Sequence, residues 1–399
     1  MTENSTRPVI RLLPKTNAQR LRFGAPWVYA DQLVLDRRSR AIAGGTIVEV
    51  QDKERKPIAL AAFNAKSKII ARVLDTDLDA TIDKAWFIER IARALSLREA
   101  LYDEPFYRLV HAEADGLPGV IIDRFGDTAV VQPNAAWAEV LIDDLVDALV
   151  EVTGVTNVLK NANGRARVLE GLSEETITMR GTVEGLIPVP MNGATYMADL
   201  LGGQKTGLFY DQRPNHALGA KLAKGRDVLD VFSHVGGFAL AALAAGATSA
   251  LAIDGSAAAL ELAEKGAEAS GVADKFTTKK GDAFDTMVAM GGEDKKFGMV
   301  VCDPPAFAPS KPALEAGLRA YERVARLGAR LVEPGGYLVL CSCSHAADLA
   351  RFREVSLRGI GKAGRRAQIV HTGDAGPDHP THPYLAESAY LKALFLRLD

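Results

Sequence analysis

From about residue 225 the chain alternates short apolar strands with helical segments, and this alternation limits the possible folds more than any other feature. Strands are expected at 227–232, 250–254, 276–279, 299–302 and 337–342. Helices fit between them at 238–245, 257–269, 283–289 and 313–331. Alternation of this kind builds a parallel, doubly wound α/β sheet with its ligand at the carboxyl ends of the strands. The first turn of the series is Asp230-Val231-Phe232-Ser233-His234-Val235-Gly236-Gly237-Phe238. Its glycines let the backbone approach a ligand and start a helix without a Cβ clash. The G-x-G-x-x-G fingerprint of a dinucleotide fold is absent, so a cofactor without a pyrophosphate is expected.

The remainder of the chain has a different character. A length of 399 residues exceeds what one hydrophobic core usually serves. Residues 1–75 read as short β-branched strands, such as 46–51 and 68–74, in a small β-barrel-like module. This segment carries 14 Lys and Arg against 7 Asp and Glu, a charge of +7; the rest of a chain of net charge −2 therefore carries −9. A basic module on an acidic body suits an RNA partner, and equally a solvated basic face. Helical spacing then appears at 82–101, strands at 108–111, 120–123 and 128–132, and a second amphipathic helix at about 135–152. The expected division is 1–75, an α+β region at 76–195, and the strand–helix series within 196–399.

Several classes are excluded or disfavoured. No apolar run approaches the roughly 18 residues that cross a bilayer, and the first residues lack a signal-peptide pattern. A cytoplasmic location without membrane association is expected. Three cysteines, Cys302, Cys341 and Cys343, do not form a disulfide framework, and no zinc-ligand spacing occurs, so no metal is expected.

Candidate chemistry lies at the strand ends. Asp254, about 20 positions past the glycine turn, has the type and place to bind ribose hydroxyls. The local sequence also fits a helix cap by Asp254 or Ser256. Asp282 can accept an exocyclic amine, or cap a helix. Together with the glycine turn, these residues point to an adenosine cofactor. In Asp303-Pro304-Pro305-Ala306-Phe307, two prolines that lack the ladder N–H fix a stiff loop, which fits an Asp303 set to hydrogen-bond a planar base and also a rigid surface turn. Cys341 and Cys343 share a strand face unless the strand has already ended. Cys343, later and flanked by Ser342, Ser344 and His345, is the better candidate nucleophile.

These motifs are similar to those of RlmI-type large-subunit ribosomal RNA methyltransferases, over nearly the full length. The resemblance rests on Arg108-Leu109-Val110-His111-Ala112-Glu113-Ala114-Asp115-Gly116-Leu117-Pro118-Gly119 and on Gln204-Lys205-Thr206-Gly207-Leu208-Phe209-Tyr210-Asp211-Gln212-Arg213. It also rests on the glycine turn, Asp303-Pro304-Pro305-Ala306-Phe307, Asp378-His379-Pro380 and Tyr390-Leu391-Lys392. His234 and Val235 depart from the usual turn. The resemblance implies a PUA-like RNA-binding domain, a central α+β domain and a Rossmann-like class I methyltransferase domain with a mostly parallel seven-stranded sheet. It implies S-adenosylmethionine as donor, with Asp254 on the ribose, Asp282 near the adenine and residues 204–213 over the methionine end. The implied cofactor set is Lys205, Thr206, Phe209, Asp211, Arg213, Asp230, Phe232, Gly236, Gly237, Asp254, Gly255, Asp282, Ala283 and Asp303. Cys343 would be the thiolate that adds to carbon 6 of a cytosine in 23S rRNA, and Asp303 the group on the cytosine edge. Arg37, Arg38 and Arg40 are the candidate RNA contacts. Free 23S rRNA and an assembly intermediate both fit as substrate, and a homodimer is left open. Two other readings are a guanine-nitrogen rRNA methyltransferase and a non-catalytic RNA-binding assembly factor.

Overall fold

The computed structural model describes residues 7–202 and 207–399. Contacts divide the chain into two compact units. One comprises the chain to Glu184 together with Asp378–Ala386, and the other includes Gly207–Pro377 and Glu387–Asp399.

The first unit holds two sheets. Strands β1 (Val9–Arg11), β2 (Trp27–Tyr29), β3 (Thr46–Gln51), β4 (Pro57–Phe63) and β5 (Ile69–Asp75) pair in the order β1-β3-β4-β5-β2. Val48, Val50, Ala61, Phe63 and Ile70 form their shared core. Two short helices interrupt the strands, α1 (Ala18–Arg22) and α2 (Arg37–Arg40). Asp36 caps α2 by accepting the Ser39 N–H, with the Ser39 hydroxyl reaching back. The basic run at 37–40 therefore forms a helical turn inside the β module, and Arg37, Arg38 and Arg40 are all exposed.

The second sheet follows α3 (Lys84–Leu101), which Asp83 caps. Strands β6 (Phe106–His111), β7 (Val120–Phe125), β8 (Thr128–Pro133), β9 (Asn157–Asn161) and β10 (Thr176–Arg180) lie in the order β10-β9-β8-β7-β6. The helix expected at 135–152 is two helices, α4 (Ala136–Val140) and α5 (Ile142–Thr153). Leu141 leaves helical geometry between them. Short α6 (Arg165–Glu170) lies between β9 and β10. Trp137 stacks on Phe87 of α3 at 5.7 Å, joining helices and sheet in one apolar core.

The second unit opens with a hairpin, β11 (Ile187–Met191) and β12 (Ala194–Ala198), then α7 (Arg213–Ala223). Its main sheet is β13 (Asp227–Val231), β14 (Ser249–Asp254), β15 (Phe276–Lys280), β16 (Phe297–Cys302), β17 (Val332–Ser342), β18 (Ala367–Gly373) and β19 (Lys392–Leu398). The order is β15-β14-β13-β16-β17-β19-β18. All neighbours are parallel except β19, which runs antiparallel to both β17 and β18. The connecting helices are α8 (Gly237–Ala244), α9 (Ala257–Ala269), α10 (Ala283–Gly292), α11 (Leu314–Leu331) and α12 (Leu349–Lys362). The expected α/β fold class and its mostly parallel seven-stranded sheet are thus present. Strand order reverses between β13 and β16, so a crevice opens at their carboxyl ends.

Candidate active site

The turn after β13 is held from below. Asp230 is buried and accepts the Ala239 N–H at the start of α8 at 3.0 Å. Tyr196 of β12 donates its hydroxyl to the Gly237 carbonyl at 3.0 Å. A Cβ on Gly237 would lie 2.6 Å from the His216 ring, and one on Gly236 3.2 Å from Leu240. Both glycines therefore answer to internal packing as well as to any ligand. Phe232, His234 and Gly236 all have positive φ, of +63°, +50° and +80°. Two non-glycine residues in this region mark a backbone that the surrounding structure must hold in place.

Consecutive strand ends supply the rest. Asp254, ending β14, accepts the His234 N–H at 2.9 Å and the Ser256 N–H at 2.8 Å, one on each oxygen. Ser256, not Asp254, caps α9. A carboxylate has about four acceptor positions, so both oxygens keep capacity toward the exposed Gly255. Asp282, past β15, is exposed and caps α10 through the Asp285 N–H. Ala283 packs its methyl into the sheet core. Phe232, Phe284 and Phe307 stand edge to face or tilted, with centroids 6.0 to 6.3 Å apart. All three are only partly buried, which leaves an apolar wall at the start of α10, where Phe284 follows Asp282 by two residues.

Asp303 follows β16. Its carboxylate accepts the Gln212 amide at 2.8 Å, and Gln212 is held in turn by Asn215 at 2.7 Å. Burial and the nearby Asp211 carboxylate push Asp303 up to about 7. Asp211 accepts the Tyr390 hydroxyl at 2.5 Å. Burial, with Asp254 adding to it, likewise pushes Asp230 up to about 7. Phe209 packs its ring 5.0 Å from that of His234, and Arg213 begins α7 with its guanidinium 5.4 Å from the Tyr210 ring. Lys205 and Thr206 lie outside the described residues.

The thiols separate clearly. Cys302 and Cys341 are buried within β16 and β17, and burial pushes both well above the ordinary thiol range. Strand β17 ends at Ser342, so Cys343 falls just beyond it and is only partly buried. Register pairs Cys302 with Leu340, which sets Cys343 two residues past the level of Asp303. The Ser344 hydroxyl accepts the Ala308 N–H at 2.9 Å and meets the Tyr321 hydroxyl at 2.7 Å. One side chain thus joins the cysteine turn to the Asp303 loop and to α11.

Four buried polar atoms gather near the first turn without a hydrogen-bond partner among the described residues. They are Asp211 Oδ1, Asp230 Oδ1, Ser233 Oγ and His216 Nδ1. Burial and the Arg213 charge keep His216 neutral, down at about 3. Unpartnered buried groups are costly, and their concentration at one sheet edge fits a polar ligand. Asp254 with open acceptor positions at the end of β14, and an aromatic wall at the start of α10, fit an adenosine. Sequence reasoning missed Tyr196, Gln212, Asn215, His216, Phe284, Ser344 and Lys392 as individual contributors. Only Gln212, Ser344 and Lys392 carried a signal, as a member of the segment at 204–213, a flank of Cys343 and a member of the segment at 390–392.

Residues 150–397 match the S-adenosylmethionine-dependent methyltransferase family and residues 10–76 the PUA-like domain family. With the sheet order and the edge just described, the second unit defines an S-adenosylmethionine-dependent methyltransferase. The similarity extends further than that unit. A ribosomal RNA large subunit methyltransferase I from Aliivibrio fischeri (strain MJ11) is 33% identical over 396 residues, covering 97% of this chain and 98% of the relative. Its counterpart from Vibrio vulnificus (strain YJ016) is 34% identical over 378 residues, covering 92% and 94%. The chain belongs to the ribosomal RNA large subunit methyltransferase I family. The same fold occurs in a proposed SAM-dependent methyltransferase from Streptococcus mutans, and in a proposed methyltransferase solved with SAH. Each aligns at TM-score 0.82 and 18% identity over 98% of this chain and 100% of the other. A tRNA m1G37 methyltransferase from M. jannaschii shares the fold at TM-score 0.50 and 16% identity, over 83% of this chain and 82% of the other.

Proposed function

We propose that this enzyme methylates carbon 5 of a cytosine in large-subunit ribosomal RNA through a covalent adduct at Cys343. The observation that carries the reading is the sorting of the thiols: Cys302 and Cys341 are sealed in the sheet, whereas Cys343 lies beyond its strand at the edge where Asp303 ends the neighbouring one. Carbon 5 of cytosine is a weak nucleophile. The Cys343 thiolate forms a bond to carbon 6, and the electron pair of the 5,6 double bond is released toward carbon 5. When bound, S-adenosylmethionine would supply the electrophilic methyl group for that pair, its sulfonium becoming a neutral thioether, with Asp254 and the Phe209–Arg213 segment as the residues that would hold it. A base then takes the carbon 5 proton, the double bond re-forms and the thiolate departs. Asp303, raised to about 7, holds a proton part of the time near neutrality and can hydrogen-bond the cytosine edge as donor or acceptor.

For the donor, Asp254 is assigned to the ribose and Asp282, with its uncommitted oxygen, to the adenine amine. Phe232, Gly236, Gly237, Gly255 and Ala283 line the adenosine, and Asp230 braces the turn. Phe209, Asp211, Arg213, Lys205 and Thr206 are assigned to the methionine end. The relatives' names supply the ribosomal RNA substrate, and the target base must leave its stack to reach a pocket of this kind. Residues 1–75 serve as the RNA-binding module, with Arg37, Arg38 and Arg40 on phosphates. The central domain runs from 76 to about Glu184 rather than to 195, and the catalytic domain begins with the β11–β12 hairpin. Among the described residues no helix is long and apolar enough to cross a membrane.

The test is to methylate undermodified large-subunit rRNA with labelled donor and identify the nucleoside by mass spectrometry. The expected product is 5-methylcytidine in 23S rRNA. A methylated guanosine would overturn the reading, and RNA binding without transfer would favour an assembly role.

A further inference from the structure

Lys392 is the first residue of β19, where it pairs directly across from Ser342, the residue before Cys343. Its side chain is buried, and its ammonium donates to the Ser344 carbonyl at 2.7 Å and the Ala347 carbonyl at 2.8 Å. Those carbonyls belong to the turn that carries Cys343. Among the described residues Lys392 forms no ion pair, in contrast to buried Lys160, which has Glu139 at 2.9 Å and Glu175 at 3.2 Å. A buried cation held by neutral carbonyls alone pays a desolvation cost that a nearby anion relieves.

The groups facing the turn identify that anion. Tyr321 of α11 meets Ser344, Asp348 caps the start of α12, and the His345 ring lies 5.6 Å from that of Tyr390. Asp348 is exposed and already accepts the Arg351 N–H at 2.8 Å. Burial pushes the Tyr321 hydroxyl above the usual tyrosine range, so it supplies no anion near pH 7. Burial pushes the Lys392 ammonium down from the usual lysine range, and the charges of Cys343 and Asp348 push it back up. That coupling is reciprocal: a cation favoured by a thiolate favours the thiolate equally.

We infer that Lys392 is a positioning residue for Cys343, its ammonium fixing the turn through two carbonyls while holding the sulfur as the thiolate that attacks the base. This inference rests on the cytosine reading above for its purpose, but not for its test. The thiol proton leaves to solvent before attack, so no further reactant is required.

Cys343 is the partly exposed thiol of the three, and its alkylation by iodoacetamide between pH 5.5 and 9.5, followed by peptide mass spectrometry, reads its ionisation directly. In the wild-type protein the midpoint is expected below the ordinary thiol value of about 8.5. Lys392→Met should raise it by about one unit or more, slowing alkylation at pH 7 roughly tenfold. Lys392→Arg, which keeps the charge, should hold the midpoint near wild type. Methyl transfer by Lys392→Met should fall at pH 7 and recover as the pH rises, which a purely structural defect would not do. An unchanged midpoint in Lys392→Met overturns the inference. Should that variant fail to fold, a wild-type midpoint at or above about 8.5 overturns it alone, and one below sustains it. A shifted midpoint with methylated guanosine as product would keep the lysine's effect and remove the cytosine reading.

Discussion

Two buried polar clusters in this molecule are built on opposite terms. In the first unit, Arg98 grips Asp115 with bonds of 2.7 and 2.8 Å and donates to the Asp378 carbonyl at 2.8 Å. Arg108 pairs with Asp123 through two bonds, and its backbone N–H donates to the Asp378 carboxylate at 3.0 Å. His111 lies beside the Arg108 guanidinium, and burial with that charge pushes it down to about 2, so it stays neutral. Each buried arginine there meets its carboxylate through two bonds. At the sheet edge of the second unit, Asp211, Asp230 and Asp303 crowd together, two are raised to about 7, and Asp211 and Asp230 each keep an unpartnered buried oxygen. The first arrangement is what a structural cluster looks like when each arginine has its own carboxylate and the remaining one, Asp378, spends its oxygens on the Arg108 N–H and the His379 ring. The second retains unmatched charge and hydrogen-bonding capacity, which is what a site for a ligand requires.

The contrast can be broken at either end. Arg98→Ala strands the Asp115 carboxylate and should cost about 3–5 kcal/mol in denaturant titration, with donor affinity unchanged in the protein that remains folded. Asp254→Ala should do the reverse: S-adenosylhomocysteine binding by calorimetry should weaken about 10- to 100-fold, from the loss of charged acceptors, with a smaller loss of stability. Equal stability losses in the two variants would erase the distinction. Charge reversal at Arg37, Arg38 and Arg40 together should lower rRNA affinity roughly tenfold or more and flatten its salt dependence, while donor binding persists. An unchanged RNA affinity would mark that helix as a solvated face.

The smallest expected effect sharpens the comparison through pH. Asp230 is raised above its unfolded value of about 3.8, so the folded chain holds a proton that the unfolded chain releases. Its contribution to stability is complete below about pH 4 and is lost as the pH rises through about 7. Asp230→Asn cannot titrate and keeps a carbonyl for the Ala239 N–H. Between pH 5 and 8 its Tm should therefore fall less than that of the wild type, by an order of a few °C. Parallel curves would contradict the assignment of unmatched charge to this residue.

Much of this was legible in the sequence, for a physical reason. Strands buried on both faces of a parallel sheet read as continuous apolar runs, so β13, β14, β16 and the end of β17 emerge from spacing, with α9 at 257–269 as expected. The edge strand β15, Phe276-Thr277-Thr278-Lys279-Lys280, is mostly exposed and is marked by its β-branched residues instead. Asp254, Asp303 and Cys343 stand out because each falls where such a run stops. The antiparallel β19 carries a comparable apolar run, Ala393-Leu394-Phe395-Leu396, but stands outside the strand–helix alternation, and Lys392 at its start looks like any surface lysine until the pairing with Ser342 buries it. The supports were equally silent: Gln212 reaches Asp303 across 91 positions and Tyr196 reaches Gly237 across 41. No local pattern encodes such contacts. The cap of α2 was the exception, since Asp36 and Ser39 stand three residues apart as a capping box requires. Its placement within a strand-rich segment hid it.

The most direct test of the central claim replaces the target cytosines in large-subunit rRNA by 5-fluorocytidine. Fluorine at carbon 5 cannot leave as a proton does, so a thiolate adduct that has accepted the methyl group remains attached. The expected result is a denaturant-resistant protein–RNA complex whose cross-linked peptide contains Cys343, absent in Cys343→Ala. Methyl transfer to ordinary rRNA with no such complex, or a complex through another residue, would contradict the account.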